Sequence, residues 1–576
     1  ARWNVSSSEC VAEKSVITHK LSGRRATFGA VAAEAAKIPP PSEITLKDPS
    51  QWKLAGTAQR RLDLLDKVTA QPIYAIDVRL PGMLYAAITH CPVFGDAPKA
   101  VDESAIAHMK GVRSVVRLPD AVAVVADSWW RAKRALDALP IEWGAHDTGR
   151  VSSASIAELV RAALDAAKSQ IGRADGDIAA ALQRAVRRVE ADYEVPFLAH
   201  ATMEPQTCTV RIENGLVEVW TPTQGATTAL ATAAGASGVP SENVVIHGSM
   251  LGGGFGRRGP IQEYVRQAVL IAKEVDAPVK LVWSREQDIQ HDLYRPYGMA
   301  RLIAGLGADG MPIAWKIRLA GPSVAHGLVP DFGMNFIDRS FLSGLIDEMA
   351  YDVPNYLVDY VVQPSRVPIG IWRAINFTQN AFYKECFVDE MAHAAGVDPY
   401  HFRRRLLRNS PKNLAVLDAA AQRAGWGTPL PPGVHRGIAL NEACGSYGAQ
   451  VVELSVKYGE VRVHRVVSAI DPGYVVNPLS VQMQTEGAVV YALTAALNGE
   501  ITIKNGAVEQ SNFDDYQMLR LAEAPIVETV IVPSGGFWGG VGEPPVPPLA
   551  PAVCNAIFAA IGKRIRSLPI KNHDLG

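Results

Sequence analysis

Two glycine-rich stretches hold the residues best suited to chemistry. The first runs Met250-Leu251-Gly252-Gly253-Gly254-Phe255-Gly256-Arg257-Arg258-Gly259. Gly252, Gly253, Gly254 and Gly256 let the backbone take positive φ and approach a ligand closely. A strand over Val244 to His247 precedes the loop, and a helix is expected from Pro260 to Val275. The free N–H groups of that helix suit an anion. Arg257 and Arg258 add guanidinium donors of the kind that grip phosphate or oxo groups. A tight turn packed on a neighbour is the plainer reading. The second stretch is Gly540-Val541-Gly542-Glu543-Pro544-Pro545-Val546-Pro547-Pro548. Its prolines fix the chain and its glycines admit a close neighbour. A carboxylate held away from water there is suited to general-base work near neutral pH. A surface glutamate in a proline-rich turn is the alternative.

Two cofactor classes compete for the first stretch. Gly254 to Gly259 reads GxGxxG, and Glu286 stands 27 residues beyond Gly259 (286 − 259). A nicotinamide-binding unit puts its acidic residue about twenty residues on. No Lys-Ser or Lys-Thr follows the glycines, which excludes a Walker loop. Smaller sets accompany these: Met203-Glu204-Pro205-Gln206 after His200, Gln224 between a strand and a helix, and Arg373 beside Trp372. Tyr447, Phe513, Trp372 and Trp538 suit pocket walls or a core equally.

The elements that must carry these residues follow from periodicity and turn chemistry. Phe28 to Ala36 reads as a short helix ended by Pro39-Pro40-Pro41. Tyr74 to Val78 and Met83 to Thr89 read as strands about Pro81-Gly82. Val112 to Leu118 and Ala121 to Ala126 read as strands, and Ser128 to Leu139 as a helix. Residues 144–190 are alanine-rich and read as helical. Thr207 to Glu213 and Leu216 to Thr221 flank Asn214-Gly215, a hairpin signal. Thr223 to Gly235 is expected to be helical and Val279 to Trp283 a strand. A helix pair is expected over 380–409 around Gly396-Val397-Asp398-Pro399. Val451 to Val456, Val461 to Ala469 and Ile501 to Lys504 read as a meander. Leu549 to Gly562, which contains Pro551 and Asn555, reads as a buried helix.

Composition narrows the class. The 576 residues carry 57 Lys+Arg and 58 Asp+Glu, a net charge of −1, which gives no electrostatic case for nucleic acid or an anionic membrane. The six cysteines, at 10, 91, 208, 386, 444 and 554, never fall within five residues of each other. That spacing excludes a local CxxC site and the clustered ligands of an iron–sulfur centre. No run of about eighteen apolar residues predicts a membrane-spanning helix. Ala1-Arg2-Trp3-Asn4 has no initiator Met and no leader pattern, so the chain is expected to start inside a longer polypeptide or after processing.

Taken in order, these segments resemble the molybdenum-binding large subunit of the xanthine dehydrogenase/aldehyde oxidase family, a family of molybdenum hydroxylases. Within it, the nearest likeness is to the branch of the isoquinoline 1-oxidoreductase beta subunit. The likeness runs through Arg61-Leu62-Asp63, Pro81-Gly82-Met83-Leu84, Met203-Glu204-Pro205, Thr221-Pro222-Thr223-Gln224 and Gly252 to Gly256. It continues through Arg373, Phe387-Val388-Asp389-Glu390, Asp471-Pro472-Gly473, Asn477-Pro478 and Gln484-Thr485-Glu486-Gly487, and ends at Gly542-Glu543-Pro544-Pro545.

The resemblance implies an α+β fold: an N-terminal remnant and linker over 1–45, a hammerhead-like domain over 46–145, and a two-lobed molybdopterin-binding region over 146–576. It implies a molybdenum-dependent oxidoreductase subunit that hydroxylates an N-heteroaromatic carbon or oxidises an aldehyde with oxygen from water. The cofactor implied is molybdenum with molybdopterin cytosine dinucleotide. Glu543 matches the family's base, Gln224 the glutamine that bonds an oxo ligand, and Arg373 the arginine near metal and pterin. Gly252, Gly253, Gly254, Phe255, Gly256 and Arg257 form the loop that approaches the cofactor, and Gln484 and Gly487 lie close to it. No side chain is assigned as a metal ligand. Arg258-Gly259 replaces the Lys-Glu of xanthine-type enzymes, which argues against a purine substrate. The family's dinucleotide-binding EMGQG-like segment has no counterpart here, so a further chain or segment carrying it is expected. With no cluster ligands of its own, the chain is expected to pass electrons to a small partner subunit with [2Fe–2S] clusters, and onward to a cytochrome c. The branch is consistent with a periplasmic or a cytoplasmic protein, soluble or peripherally membrane-associated. An NAD(P)-linked oxidoreductase and a non-catalytic scaffold subunit are the alternatives.

Overall fold

The computed structural model describes residues 2–144, 150–325 and 337–576. Ala1–Ala55 and Gly56–Gly576 are two compact units. In the first, the helix Phe28–Ala35 starts at Thr27, whose hydroxyl accepts from Ala30 N at 3.2 Å. A three-stranded antiparallel sheet of Cys10–Glu13, Val16–His19 and Arg25–Thr27 accompanies it, beyond what sequence patterning predicts. Its first hairpin turns at Lys14-Ser15, both at positive φ (51° and 61°), a type I′ geometry without the usual Asn-Gly signal.

The second unit is built on three larger sheets. A seven-stranded sheet runs in the order Val244–Gly248, Leu216–Thr221, Thr207–Glu213, Val279–Val282, Leu84–His90, Ala121–Ala126, Val112–Arg117. Strands from 84–126 and from 207–282 therefore share one hydrogen-bonded sheet, joined where Val279 to Leu281 run parallel to Leu84 to Ala86. A five-stranded sheet holds Arg187–Val195, Gly298–Leu306, Pro312–Gly321, Tyr356–Val362 and Gln170–Asp175. A four-stranded sheet holds His435–Ala443, Ser446–Lys457, Glu460–Asp471 and Ile526–Ile531. The largest core lies between these last two sheets and the helices Phe377–Ala395, Pro411–Ala424, Pro478–Leu497 and Leu549–Ile561.

Several expected elements are corrected. Ala75–Asp77 is a 3₁₀ turn rather than strand, closed by the Asp77 carboxylate accepting from Tyr74 N. Within 150–190 the strand Gln170–Asp175 interrupts the helices, because Tyr356–Val362 needs an edge partner. Ile503–Lys504 pairs with Ala507–Val508 in a separate two-stranded sheet, and the fourth strand of the meander is Ile526–Ile531. The helix after the glycine loop begins at Glu263, not Pro260. The sequence boundary at 145/146 falls within 145–149, outside the described residues.

One helix does most to fix the site. Phe377–Ala395 is buried from Phe377 to Ala392, and its three acidic residues, Glu385, Asp389 and Glu390, are paired with arginines. Arg403 meets Glu385 at 2.9 Å, Arg564 meets Asp389 at 2.6 Å and Arg566 meets Glu390 at 2.6 Å. Burying those charges is tolerable only because each is met by an opposite charge. The chain before this helix, at Arg373 to Asn376, is thus anchored to a rigid support.

Candidate functional site

The glycine loop leaves the strand Val244–Gly248 and is moulded onto two neighbours. Gly252 exchanges hydrogen bonds with Glu204: its N–H donates to Glu204 Oε2 at 2.9 Å, and its carbonyl accepts from Glu204 N at 3.0 Å. Any Cβ on Gly252 would strike the Glu204 side chain, and one on Gly254 would lie 2.5 Å from Gln224 Oε1. Gly256, at φ 108°, passes so close to the Ile371 carbonyl that no side chain fits. Glycine is demanded here by contact as well as by φ.

Gln224 is held from the other side. Its Oε1 accepts from Gly256 N at 3.1 Å and from Arg258 N at 3.3 Å. Those two donors fix which end of the amide is oxygen. The Nε2 end then donates to no protein group among the described residues. Nor do the backbone N–H groups of Gly253, Gly254 and Phe255. Among the described residues, three successive N–H groups and one amide N–H₂ thus stand together without acceptors. Such a donor set fits an oxo-bearing, anionic group.

The two arginines after the loop turn inward, against expectation. Arg257 is 1% exposed and pairs with Glu263, while its Nε lies 2.7 Å from Asp292 Oδ1. Burial opposes its charge, but Glu263 and Asp292 outweigh burial and raise its pKa. Arg258 is fully buried, donating to Gly253 O at 2.9 Å and Glu204 O at 2.6 Å. Both guanidiniums hold the loop's shape and neither is available to a phosphate. The helix N-terminus likewise carries Glu263 in its first turn, an acidic group that anions avoid. Behind the loop, His200 Nε2 lies 2.8 Å from Ile371 O, and its Nδ1 faces Asp292 at 3.0 Å.

The second half of the site lies at the other glycine-rich stretch. Glu543 is half-buried; its Oε1 accepts from Ala374 N at 2.9 Å and its Oε2 from the Cys444 thiol at 3.4 Å. Arg373 donates through Nε to Gly542 O at 2.9 Å and through Nη2 to Gln484 Oε1 at 3.2 Å. Burial lowers the Arg373 pKa from its ordinary value. Ala374 and Ile375 stand at φ 70° and 47°, a strained pair where the chain turns Ala374 N toward Glu543. Gly487, three residues past Gln484 on Pro478–Leu497, is exposed with open space where a side chain would be.

A stack of rings joins the halves. Phe255, at φ 56°, lies on Tyr491 at 4.4 Å, and Tyr491 lies on Trp372 at 4.6 Å. Arg373 sits over the Tyr491 ring at 6.0 Å. The structure thus brings Arg373 into contact with Gln484 and with Gly542, the residue before Glu543, and brings Gln224 into contact with Gly254 to Gly256. Tyr491, Cys444 and the Ala374 N–H are site groups that sequence reasoning misses. Of the suggested walls, Trp372 joins the stack, Tyr447 meets Phe537 edge-on, Trp538 is exposed against Tyr474, and Phe513 packs under Arg285. An apolar cleft of about 340 Å³, lined by Leu293, Pro322, Val362, Pro368 and Ile369, adjoins the turn into Arg373. It holds none of the three proposed catalytic side chains.

The nicotinamide reading fails on geometry. Val244–Gly248 and Val279–Val282 are separated by two strands, so no βαβ unit forms around the loop. Glu286 lies in the helix Arg285–Gln290 and accepts from Asn512 at 3.1 Å.

Comparison with known proteins agrees with this geometry. Two family models, each described as a molybdopterin cofactor-binding domain, match residues 164–407 and 433–525. Together they contain Gln224, the glycine loop, Arg373, Gln484 and Gly487. The chain is similar to the beta subunit of isoquinoline 1-oxidoreductase from Brevundimonas diminuta, 29% identical over 99% of this chain and 79% of that protein. It is also similar to a nicotinate dehydrogenase subunit from Pseudomonas putida, 29% identical over 92% of this chain but only 47% of that protein. Among solved structures, quinoline 2-oxidoreductase from Pseudomonas putida 86 shares the fold, with a TM-score of 0.77 over 90% of this chain and 97% of that one, at 14% identity.

Proposed function

From the premise that this chain belongs to the molybdenum hydroxylase family, we propose that it carries the substrate-oxidising site of a molybdenum hydroxylase. The chain is an oxidoreductase subunit with molybdopterin cofactor-binding domains. Our reading of its reaction is hydroxylation of an N-heteroaromatic carbon, or oxidation of an aldehyde, with oxygen drawn from water. The names of the relatives, which act on isoquinoline and nicotinate, support the heteroaromatic class. The observation that carries the proposal is Glu543: a carboxylate fixed at both oxygens, beside a buried arginine, and linked by stacked rings to a loop of unpaired donors.

When bound, the molybdenum cofactor would supply the two-electron acceptor and the activated oxygen. Gln224 Nε2 and the N–H groups of Gly253, Gly254 and Phe255 would hold its oxo-bearing end. Glu543 would take a proton at a carboxylate oxygen from the attacking group, as a general base. Arg373 would fix the segment that carries Glu543 and add positive charge near the cofactor. Gln484 and Gly487 would border it, and Arg257 would act through the loop rather than by contact. The finer assignments also belong to this proposal: the cytosine dinucleotide form of the cofactor, a small [2Fe–2S] partner subunit, a further chain or segment completing the dinucleotide site, and a cytochrome c acceptor. So does the division into 1–45, a hammerhead-like 46–145 and a two-lobed 146–576. Among the described residues no helix is long and apolar enough to cross a membrane.

The test is Glu543→Gln in the natively purified complex, with molybdenum measured by elemental analysis. Molybdenum near that of the parent with turnover lost on quinoline-type and aldehyde substrates is the expected result. Near-normal turnover would remove Glu543 as the base.

A further inference from the structure

We propose that Cys444 is a positioning residue for the Glu543 carboxylate, its thiol proton holding Oε2 while the Ala374 N–H holds Oε1. The inference rests on reading Glu543 as the base and adds the device that aims it. Cys444 and Gly445 form the two-residue turn between His435–Ala443 and Ser446–Lys457, since Ala443 and Ser446 are register partners. Both turn residues have positive φ, 52° and 71°, the geometry of a type I′ turn. Asn, Asp or Gly is the comfortable occupant of the first position, and a cysteine there is strained.

The turn is pressed onto the strand of chain that ends at Glu543. Gly540 N donates to Cys444 O at 2.9 Å, and Ser446 Oγ donates to Gly540 O at 2.6 Å. A Cβ on Gly540 would lie 3.1 Å from Cys444 Cβ, and one on Gly539 would strike Ser446 Oγ. Two glycines therefore give up side chains so that Cys444 can reach its place. The thiol then lies 3.4 Å from Glu543 Oε2. Although Cys444 is partly open to solvent, desolvation, and after it the Glu543 carboxylate, push its thiol up to about 12. It is a protonated donor at neutral pH. A thiol is a weak donor. It sets the direction of the carboxylate without gripping its charge as an ammonium would, which suits a group that must accept a proton.

Two measurements on the full chain test this. The first needs no bound cofactor. Iodoacetamide labelling of Cys444 at pH 8.5, read by peptide mass spectrometry with Cys10 as internal reference, is compared between the parent and Glu543→Gln. Removing the facing negative charge should speed labelling about tenfold, the effect of one pKa unit on the thiolate fraction. Equal rates would show that thiol and carboxylate are not coupled and would overturn the proposal. The second measurement uses the loaded complex. Cys444→Ala should lower kcat about tenfold with KM within about twofold, and Cys444→Ser should recover most of that loss through its hydroxyl donor. Full turnover in Cys444→Ala, or no recovery in Cys444→Ser, would overturn the positioning role even if labelling is coupled. An active Glu543→Gln enzyme would instead sink the base assignment and leave the labelling result intact, so the two failures are separable.

Discussion

At the scale of single residues, Gln224 does two separable things. Its Oε1 pins Gly256 and Arg258, and its Nε2 donates to no group among the described residues. Gln224→Glu keeps an acceptor for both backbone N–H groups but offers no donor. Its stability should stay within about 1 kcal/mol of the parent, because neither N–H is orphaned. Its anaerobic single-turnover rate should fall about a hundredfold, the usual cost of one lost donor at a developing charge. Stopped-flow kinetics on the loaded complex, with a denaturation curve alongside, makes the comparison, and an unchanged rate would remove Gln224 from the chemistry. This site is legible in the sequence only in part. Glu543, Gln224, Arg373 and the glycines stand in short stretches whose residue types announce their use. Tyr491 carries no such signal, because a ring stacked between Phe255 and Trp372 looks like any core aromatic until the chain is folded. The Ala374 N–H is invisible for a simpler reason: backbone donors have no letter in a sequence. Arg257 and Arg258 mislead because an arginine pair beside a glycine loop suggests exposure, whereas the loop uses both for its own support.

At the scale of elements, closeness of approach decides what each strand and helix tolerates. The helix Leu549–Ile561 follows directly from the Glu543 segment and lies across the strand His435–Ala443. Gly437 makes that crossing possible: a Cβ there would collide with Ala552 O and Ala556 N. Both are backbone atoms and cannot swing aside as a side-chain tip can. Gly437→Ala should therefore destabilise by at least the 1–3 kcal/mol typical of overpacking, and should displace the helix that fixes Glu543. The midpoint of denaturation and the molybdenum content of the variant should both drop. A variant as stable and as fully loaded as the parent would show the crossing to be slack. Elements with local signals are readable beforehand. Asn214-Gly215 predicts its hairpin because both residues take positive φ, 52° and 80°. The helix pair around Gly396 is read from its αL cap and from Asp398 capping Tyr400 N at 2.9 Å. What stays hidden depends on distant partners. Gln170–Asp175 is a strand because Tyr356–Val362 lies beside it, and Ile526–Ile531 because Arg465 to Ile470 does.

At the scale of the whole molecule, a histidine pair makes stability depend on pH: buried His90, on the sheet that joins 84–126 to 207–282, and half-buried His291, at the end of the helix packed on it. His90, on the central strand Leu84–His90, has ring contacts with His291 at 4.7 Å and Trp283 at 4.6 Å. Its backbone N–H donates to Gln287 Oε1 at 2.9 Å, tying the strand to the helix Arg285–Gln290. Burial lowers the pKa of His90, and burial together with the neighbouring His90 ring carries His291 well below its ordinary 6.5. Both rings are therefore neutral in the folded chain at pH 7 and mostly neutral in the unfolded chain, so they add little to pH dependence there. Below pH 6.5 the unfolded chain takes up protons that the folded chain refuses, and stability falls. At pH 5 the loss is about 2 kcal/mol for each ring that stays neutral, from 1.36 kcal/mol per pKa unit. The loss continues with falling pH until the depressed folded values are reached. His291→Phe removes one titrating ring and keeps an aromatic against Phe94, whose centroid lies 6.0 Å from that of His291. Denaturant midpoints at pH 7 and pH 5 should therefore converge in His291→Phe relative to the parent. If both proteins lose the same stability between those values, the acid sensitivity of the fold lies in its carboxylates and not in this pair.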